Sequence, residues 1–383
     1  MKITALELFK VPPRWLFLKI STDAGLSGWG EPVVEGRADT VKACVEELAG
    51  YLVGRDPRPI EDHYQVLYRA GFYRGGPVLM SAISGIEQAL WDLKGQALGV
   101  PAYELLGGPV RDRVRVYSWV GGNDLAALGA MARTRVAAGY TALKMSLTEQ
   151  VPYLATPALV DEAAARLAAV RAAVGPGVDI GVDFHGRIHR GLAKVLLAAI
   201  APSRPLFVEE PVLPEHLDAL PELHGVAPIP IATGERLYGR ADFKTLLARG
   251  GVDVIQPDLS HAGGLWECRK IAAMAEAYDV VVAPHCPLGP IAFAASLQLA
   301  GCTPNFLLQE QALDLHAPGP ANVGLSYLRD PAAFRFAGGQ VPLPTGPGLG
   351  IAIDEDKVRA AAKVGHNWKS PVWRLPDGSV AEW

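Results

Sequence analysis

Apolar and polar positions alternate with two different rhythms along the chain. Up to about residue 112, three segments with strand-like alternation are followed by three segments with helical spacing. The last helical segment shows its spacing through apolar residues at Ile83, Ile86, Leu90 and Leu93. The predicted strands cover residues 2–9, 15–22 and 26–31, and the predicted helices cover residues 39–52, 60–69 and 80–98. This part of the chain is predicted to be a small α+β unit.

From about residue 113, short β-branched segments alternate with segments rich in alanine and leucine. The eight strand-like segments lie at residues 116–120, 141–145, 179–184, 206–210, 230–233, 252–257, 280–284 and 306–309. Eight strand-plus-helix units within about 200 residues are typical of a parallel (β/α)8 barrel. An open doubly wound sheet is the alternative, but it often has a glycine fingerprint after its first strand, and residues 120–123 are not one. After about residue 322 the rhythm stops and the tail is rich in turns.

Composition excludes several classes of function. The chain has 383 residues, of which 50% are hydrophobic and 20% charged, so it can bury a large core. A net charge of −4 provides no basic surface for nucleic acid or an anionic membrane. The most apolar long segment, residues 280–301, contains His285 and three prolines, which excludes a membrane-spanning helix. With no secretory leader pattern at the N-terminus, we expect a cytoplasmic protein without nucleic-acid or membrane partners.

Three carboxylates end three consecutive predicted strands. Asp183, Glu209 and Glu235 follow one another at a constant spacing of 26 residues. In a parallel barrel these positions meet at one face, with neighbouring strands about 4.8 Å apart. Like charges that close repel each other unless a cation lies between them, and all-oxygen ligation suits Mg²⁺ better than Zn²⁺. A single acid there is more often structural, but the equal spacing of three predicts a divalent metal site, and it favours Glu209 over Glu210.

Two histidines are predicted to face each other across this site. His185 follows Asp183 by two residues, so both side chains point into the same mouth of the barrel. His285 ends the seventh predicted strand, which lies opposite the third in a ring of eight. A lone histidine is usually structural, whereas an opposed pair favours acid–base chemistry. Asp258 ends the sixth strand beside His285, where a carboxylate can fix the imidazole tautomer and raise its basicity.

The charges of these residues suggest a reaction. Removing a proton next to a carboxylate creates a dianionic enediolate, which needs a metal and nearby donors for stabilisation. Lys144, on the inward register of the second strand, can offset the charge of the strand-end acids and bind an anionic substrate. Glu310 ends the eighth strand, where a catalytic acid and a structural acid both fit the pattern.

Longer motifs resemble those of the enolase superfamily and, within it, the mandelate racemase subgroup. They lie at residues 12–15, 28–32, 68–77, 117–122, 183–187, 208–211, 256–264, 283–290, 309–311 and 379–383. Together they span the whole chain, whereas the three carboxylates alone would indicate only the superfamily. The resemblance implies an α/β fold: a modified (β/α)8-type TIM barrel over residues 113–321, an α+β capping domain over residues 1–112, and a C-terminal segment, residues 322–383, that returns to the cap.

The resemblance also implies a reaction, the dehydration of D-galactonate to 2-dehydro-3-deoxy-D-galactonate. The three strand-end carboxylates would ligate Mg²⁺. His285, oriented by Asp258, would take the C2 proton, and His185 would protonate the departing 3-hydroxyl group. Glu310 would hydrogen-bond the enolate oxygen. A homo-oligomer, often an octamer in this superfamily, is expected.

Other interpretations stay open at this point. Another acid-sugar dehydratase or an epimerase of the same superfamily could use the same histidines, and a Schiff-base aldolase could use Lys144 without a metal. A non-catalytic binding protein is a further alternative. In the cap, Arg14 and the loop at residues 73–74 are candidates for substrate contacts or for structural roles. Residues 147–157 differ from the family's usual loop, and this difference bears on contacts to the distal end of the sugar.

Overall fold

The computed structural model describes residues 1–148, 151–317 and 322–382. The first part of the chain forms an antiparallel sheet of three strands covered by three helices. The strands are β1 (Ile3–Val11), β2 (Trp15–Thr22) and β3 (Ser27–Gly30), and the helices are α1 (Ala38–Leu52), α2 (Ile60–Arg69) and α3 (Pro77–Leu98). All six predicted elements are present, and α3 begins three residues before its predicted start because proline suits the first turn of a helix.

Seven parallel strands follow in one curved sheet, in chain order. They are β5 (Ser118–Trp119), β6 (Ala142–Ser146), β7 (Asp179–Asp183), β8 (Phe207–Glu209), β9 (Ile231–Thr233), β10 (Val254–Ile255) and β11 (Val281–Val282). The helices between and after them are α4 (Leu125–Ala137), α5 (Pro157–Val174), α6 (Arg190–Ile200), α7 (Leu220–His224), α8 (Arg240–Arg249), α9 (Leu265–Glu276) and α10 (Pro290–Gly301). The predicted barrel with an α+β cap is confirmed.

The eighth predicted strand, residues 306–309, is wrong as a regular strand. The backbone N–H of Leu307 donates to Val282 at 2.8 Å, and that of Gln309 donates to Arg115 at 2.9 Å, so the segment joins β11 to the start of the barrel. Each neighbour is paired at a single bridge, which is too little for a ladder. The segment still closes the ring, because a small apolar cluster inside it draws on both ends of the sheet. Its buried members are Tyr117, Ala142, Phe207, Ala232, Val254, Ala283 and Leu308.

The tail contacts both preceding parts of the chain. Strand β12 (Gln340–Pro342) pairs antiparallel with β4 (Arg113–Arg115), beside the barrel. A short helix, α11 (Val323–Ser326), precedes it, and α12 (Glu355–Val364) packs on β1 of the cap. The ammonium of Lys19 binds Glu355 at 2.8 Å, which ties α12 to the cap sheet. The domain boundaries predicted at residues 112 and 321 stay predictions, and residues 318–321, Trp383 and part of the 147–157 loop lie outside the described residues.

None of the helices in the described ranges combines the length and apolar character that crossing a membrane requires.

Candidate active site

The acids that end neighbouring barrel strands lie side by side. Asp183 is the last residue of β7 and pairs in register with Glu209, the last residue of β8. Both side chains are buried, and Glu235 follows β9 by two residues with 16% of its side chain exposed. Glu210 turns the other way and binds Arg236 and the hydroxyl of Thr233. The structure thus places Glu209, rather than Glu210, beside Asp183.

A buried lysine lies between these acids. Nζ of Lys144 is 3.1 Å from Oδ2 of Asp183 and 3.2 Å from Oε1 of Glu310, and it also contacts Glu209. Although burial opposes its charge, these carboxylates hold the pKa of Lys144 well above its ordinary value. A charged ammonium is not nucleophilic, which argues against the Schiff-base aldolase. Its substrate contact stays a prediction, because the contacts described here are those of an internal counter-ion.

The acids do not converge as closely as the sequence predicts. In the described part of the chain, no group of three His, Cys, Asp or Glu side chains is arranged to hold a metal ion. The ammonium of Lys144 draws Asp183 and Glu209 to one side, while Oε2 of Glu235 is 3.7 Å from Nε2 of His285. The donor set nevertheless fits a divalent cation. Oε2 of Glu209 is buried without a hydrogen bond, and burial together with repulsion from Asp183 raises the pKa of Glu209 well above its ordinary value.

His285 forms a dyad with Asp258. Nδ1 of His285 donates to Oδ2 of Asp258 at 2.8 Å, and the backbone N–H of Ser260 donates to Oδ1 at 2.6 Å, which fixes the carboxylate. Burial opposes a charged imidazole, yet the carboxylates of Glu235, Glu310 and Asp258 raise the pKa of His285 well above its ordinary value. Nε2 of His285, on the other edge of the ring, is therefore the nitrogen that can exchange a proton with a substrate.

His185 lies on the other side of the acids. Its backbone has a φ of 53°, in the left-handed region, and its N–H donates to Oδ1 of Asp183 at 2.7 Å. Its Nε2 is 3.3 Å from Oδ2 of the same carboxylate, and its Nδ1 is 3.2 Å from Oγ of Ser146. The ring stacks on Trp119 with centroids 5.7 Å apart. Burial lowers the pKa of His185, so the two imidazoles have opposite tendencies and no common partner among these contacts.

Glu310 is part of the same cluster. Its Oε2 accepts the backbone N–H of Cys286 at 2.9 Å and lies 3.9 Å from Nε2 of His285. Its Oε1 faces Lys144 and the indole N–H of Trp119 at 3.3 Å. The structure thus places Glu310 between the two histidines, which is compatible with either of the roles left open for it.

A cavity of about 190 Å³ opens on the His285 side of the cluster. Its wall includes Glu235 and His261 from the barrel, Glu35 from the cap and Ser370 from the tail. Arg14 is not among the residues that line it. The guanidinium instead binds Oε1 of Glu35 at 2.8 Å, packs over the ring of Trp368, and donates to a backbone carbonyl at 3.2 Å. Arg14 therefore braces the wall of the cavity, and its predicted substrate contact stays a prediction.

Three of these wall residues were missed from the sequence. His261 lies inside the motif at residues 256–264, three residues after Asp258, and its proximity was the available signal. Glu35 and Ser370 carry no local signal, because the approach of the cap and the tail to the barrel brings them there. The predicted loop at residues 73–74 is also not part of this wall, and Tyr73 is 87% exposed.

One side of the cap helix α3 holds the loop that carries Asp258. The amide of Gln88 donates to the carbonyl of Leu259 at 3.0 Å, and Oγ of Ser84 accepts the N–H of Gly263 at 2.8 Å. The carboxylate of Glu87 accepts the N–H groups of the next two residues but one, Leu265 and Trp266, at the start of α9. The cap thus contributes to the geometry of the dyad without touching it.

The fold and this site together agree with a known family. Residues 12–107 match the mandelate racemase / muconate lactonizing enzyme N-terminal domain, and residues 127–357 match the enolase C-terminal domain-like family. The chain therefore belongs to the mandelate racemase / muconate lactonizing enzyme family of the enolase superfamily, and the resemblance predicted from sequence is confirmed.

Named relatives align over the full length of the chain. It is 55% identical to a D-galactonate dehydratase of Ralstonia nicotianae and 52% identical to that of Pectobacterium atrosepticum, covering 100% of both chains in each comparison. Among solved structures, an enolase from Agrobacterium radiobacter bound to Na and L-malate is 34% identical, with a TM-score of 0.90 and complete coverage of both chains. A mandelate racemase/muconate lactonizing enzyme from Jannaschia sp. CCS1 is 31% identical, with a TM-score of 0.88 and coverage of 97% and 100%.

Proposed function

We propose that this protein is a hydro-lyase that dehydrates D-galactonate to 2-dehydro-3-deoxy-D-galactonate. The observation that carries the proposal is the His285–Asp258 dyad on one side of a buried carboxylate cluster, with His185 on the other side. A base and an acid on opposite sides can remove a proton from one carbon and assist the departure of a hydroxyl group from the next. Full-length identity above 50% to proteins named for this reaction supports the choice of substrate.

In this mechanism, Nε2 of His285 takes the C2 proton, and the electron pair moves into the carboxylate group of the substrate. Asp258 holds the ring and stabilises the imidazolium through Nδ1. His185 then donates a proton to the 3-hydroxyl group, the C3–O bond breaks, and water leaves. The resulting enol takes a proton at C3 and becomes the 2-keto acid. Glu310, close to His285, would hydrogen-bond the enolate oxygen.

Asp183, Glu209 and Glu235 would hold the Mg²⁺ ion that we infer for this site. When bound, Mg²⁺ supplies positive charge that stabilises the negative charge formed after the C2 proton is lost. The buried, unbonded oxygen of Glu209 and the mutual repulsion of the carboxylates support this inference. Lys144 would keep Asp183 and Glu209 within reach of each other.

A panel of aldonic acids that differ at C4 and C5 tests the proposal. We expect keto-acid formation, detected as the semicarbazone, with D-galactonate as the best substrate. Activity should be lost with EDTA and recovered with excess Mg²⁺. An epimerase would return a diastereomer without keto acid, and it would exchange the C2 proton with solvent deuterium. Keto-acid formation that survives complete chelation would contradict the metal assignment, and keto acid from other sugar acids only would contradict the substrate.

We also infer a cytoplasmic homo-oligomer. Phe72 and Tyr73 lie in the loop between α2 and α3 with 91% and 87% of their surface exposed. Exposed aromatic side chains of this kind are commonly covered at contacts between subunits. This supports the predicted oligomer without indicating the number of its subunits.

A further inference from the structure

His261 lies in the wall of the catalytic cavity but has no part in the mechanism above. It follows Asp258 by three residues, and only 12% of its side chain is exposed. Nδ1 of His261 is 2.8 Å from Oγ of Ser81, a buried residue of the cap helix α3. Nε2, on the opposite edge of the ring, is 3.8 Å from Oδ2 of Asp258, which is too far for a hydrogen bond.

The loop that carries His261 does not depend on this ring for its position. Three other residues of α3 already hold the loop through hydrogen bonds, namely Ser84, Glu87 and Gln88. The contact with Ser81 therefore adds little to the attachment of the loop, but it fixes the rotation of the imidazole. With that rotation, the ring keeps one nitrogen on the cap and the other beside the dyad.

The position of Nε2 suggests what it binds. The carboxylate end of a sugar acid must lie near Glu235 and His285, because the C2 proton is removed there. The rest of the sugar then extends toward the part of the cavity wall made by the cap and tail, which includes Glu35 and Ser370. A hydroxyl group buried there needs a hydrogen-bond partner, and His261 is a barrel residue that offers one.

We propose that His261 is a specificity-determining residue whose Nε2 hydrogen-bonds a hydroxyl group of the substrate beyond C3. This proposal rests on the proposed function, since it assigns a contact within the same site. A site built to hydrogen-bond a hydroxyl group rejects an epimer that places this group elsewhere, because its own polar atom is then left unpaired. His261 would therefore contribute to the choice between D-galactonate and its C4 and C5 epimers.

Two isosteric substitutions separate this role from a purely structural one. In His261→Gln the amide group reaches approximately the position of Nε2 and loses the contact with Ser81, whereas in His261→Asn it replaces Nδ1 and leaves the position of Nε2 empty. We expect His261→Asn to raise the KM for D-galactonate by about tenfold, the value of one hydrogen bond of about 1.4 kcal/mol. His261→Gln should raise the KM by less than about threefold by the same measure. Selectivity for D-galactonate over its epimers should fall in His261→Asn only.

Proton exchange and controls complete the experiment. At saturating D-galactonate, exchange of the C2 proton with deuterium should continue in His261→Asn at close to the wild-type rate, because the dyad is intact. His224→Asn, which changes an exposed histidine beside Asp253, should leave KM and selectivity unchanged.

The results distinguish the two proposals. If His261→Asn is milder than His261→Gln, or if the two variants behave alike, a structural role through Ser81 replaces the substrate contact. Loss of exchange in both variants would mean that His261 acts through the dyad and would also overturn the inference. If the wild-type protein makes no keto acid from any sugar acid, the proposed function fails and this assignment fails with it.

Discussion

The two histidines differ in the charges that face them. His285 has Asp258, Glu235 and Glu310 within 4 Å of its ring nitrogens, whereas Asp183 is the carboxylate in contact with His185. Stabilisation of the imidazolium suits a group that has accepted a proton from carbon. The imidazole with less anionic support releases its proton more readily, which suits the acid that assists the leaving hydroxyl group.

This division of labour predicts different behaviour of two variants. His285→Asn should lose both C2 proton exchange and dehydration, each by at least about 100-fold, the lower bound for removal of a general base. His185→Asn should block loss of the hydroxyl group but keep measurable exchange at C2. Proton exchange in D₂O followed by NMR, together with keto-acid assays, measures both steps. Identical losses in the two variants would contradict the assignment of base and acid.

At the scale of elements, close packing in the cap depends on two glycines of β3. A Cβ atom on Gly30 would lie 1.9 Å from the carbonyl oxygen of Gly85 on α3, and one on Gly28 would lie 2.2 Å from that of Ala89. No side chain fits at such distances. Strand β3 and helix α3 therefore approach each other backbone to backbone, and this contact fixes where the polar side of α3 meets the barrel.

Gly30→Ala should consequently lower the free energy of unfolding by about 2 to 3 kcal/mol, since the helix must shift to accept the methyl group. Gly50→Ala is the matched control, because Gly50 lies in α1 and its Cβ would meet nothing within 4 Å. That change should stabilise the protein by about 0.5 to 1 kcal/mol. Denaturant midpoints of the two variants provide the comparison, and equal midpoints would rule out the proposed packing of β3 on α3.

The same elements indicate how far the sequence alone could lead. The strands and helices of the cap were predictable from periodicity, and the barrel was predictable from its repeated units. The equal spacing of Asp183 and Glu209 also placed them side by side, since parallel strands share register. The irregular segment at residues 306–309 was not predictable, because its apolar pattern is that of a strand while its pairing depends on two distant neighbours. Contacts of the cap and tail with the cavity were missed for the same reason.

At the scale of the whole molecule, buried carboxylates of the cap attach it to the barrel. Glu31 accepts backbone N–H groups of Gly289 and Ala292, at 2.7 and 2.9 Å, where α10 begins. Glu87 does the same at the start of α9. Burial raises the pKa of each of these carboxyl groups from 4.5 to about 8, even though the N–H donors lower it. The cap and barrel are thus joined by groups that titrate in an accessible pH range.

The raised pKa of Glu87 determines the sign of a pH effect. Between pH 4.5 and about pH 8 the folded chain keeps a proton that the unfolded chain has released, so stability falls as the pH rises through this interval. One such proton contributes a slope of at most about 1.4 kcal/mol per pH unit. Glu87→Gln should therefore have a shallower decline of melting temperature between pH 5 and pH 8 than the wild type. Glu276→Gln, on the exposed side of α9, should retain the wild-type slope, and a steeper decline in Glu87→Gln would contradict this account.

The polar side of α3 has a consequence for how this enzyme can be recombined with its relatives. The hydrogen bonds from Ser81, Ser84, Glu87 and Gln88 link the first third of the chain to the loop that carries Asp258. A cap transplanted from another family member would bring its own version of this side and would disturb a dyad whose residues were all unchanged. Chimeras that exchange substrate preference should therefore inherit α3 and residues 258–266 from one parent, as a single cassette.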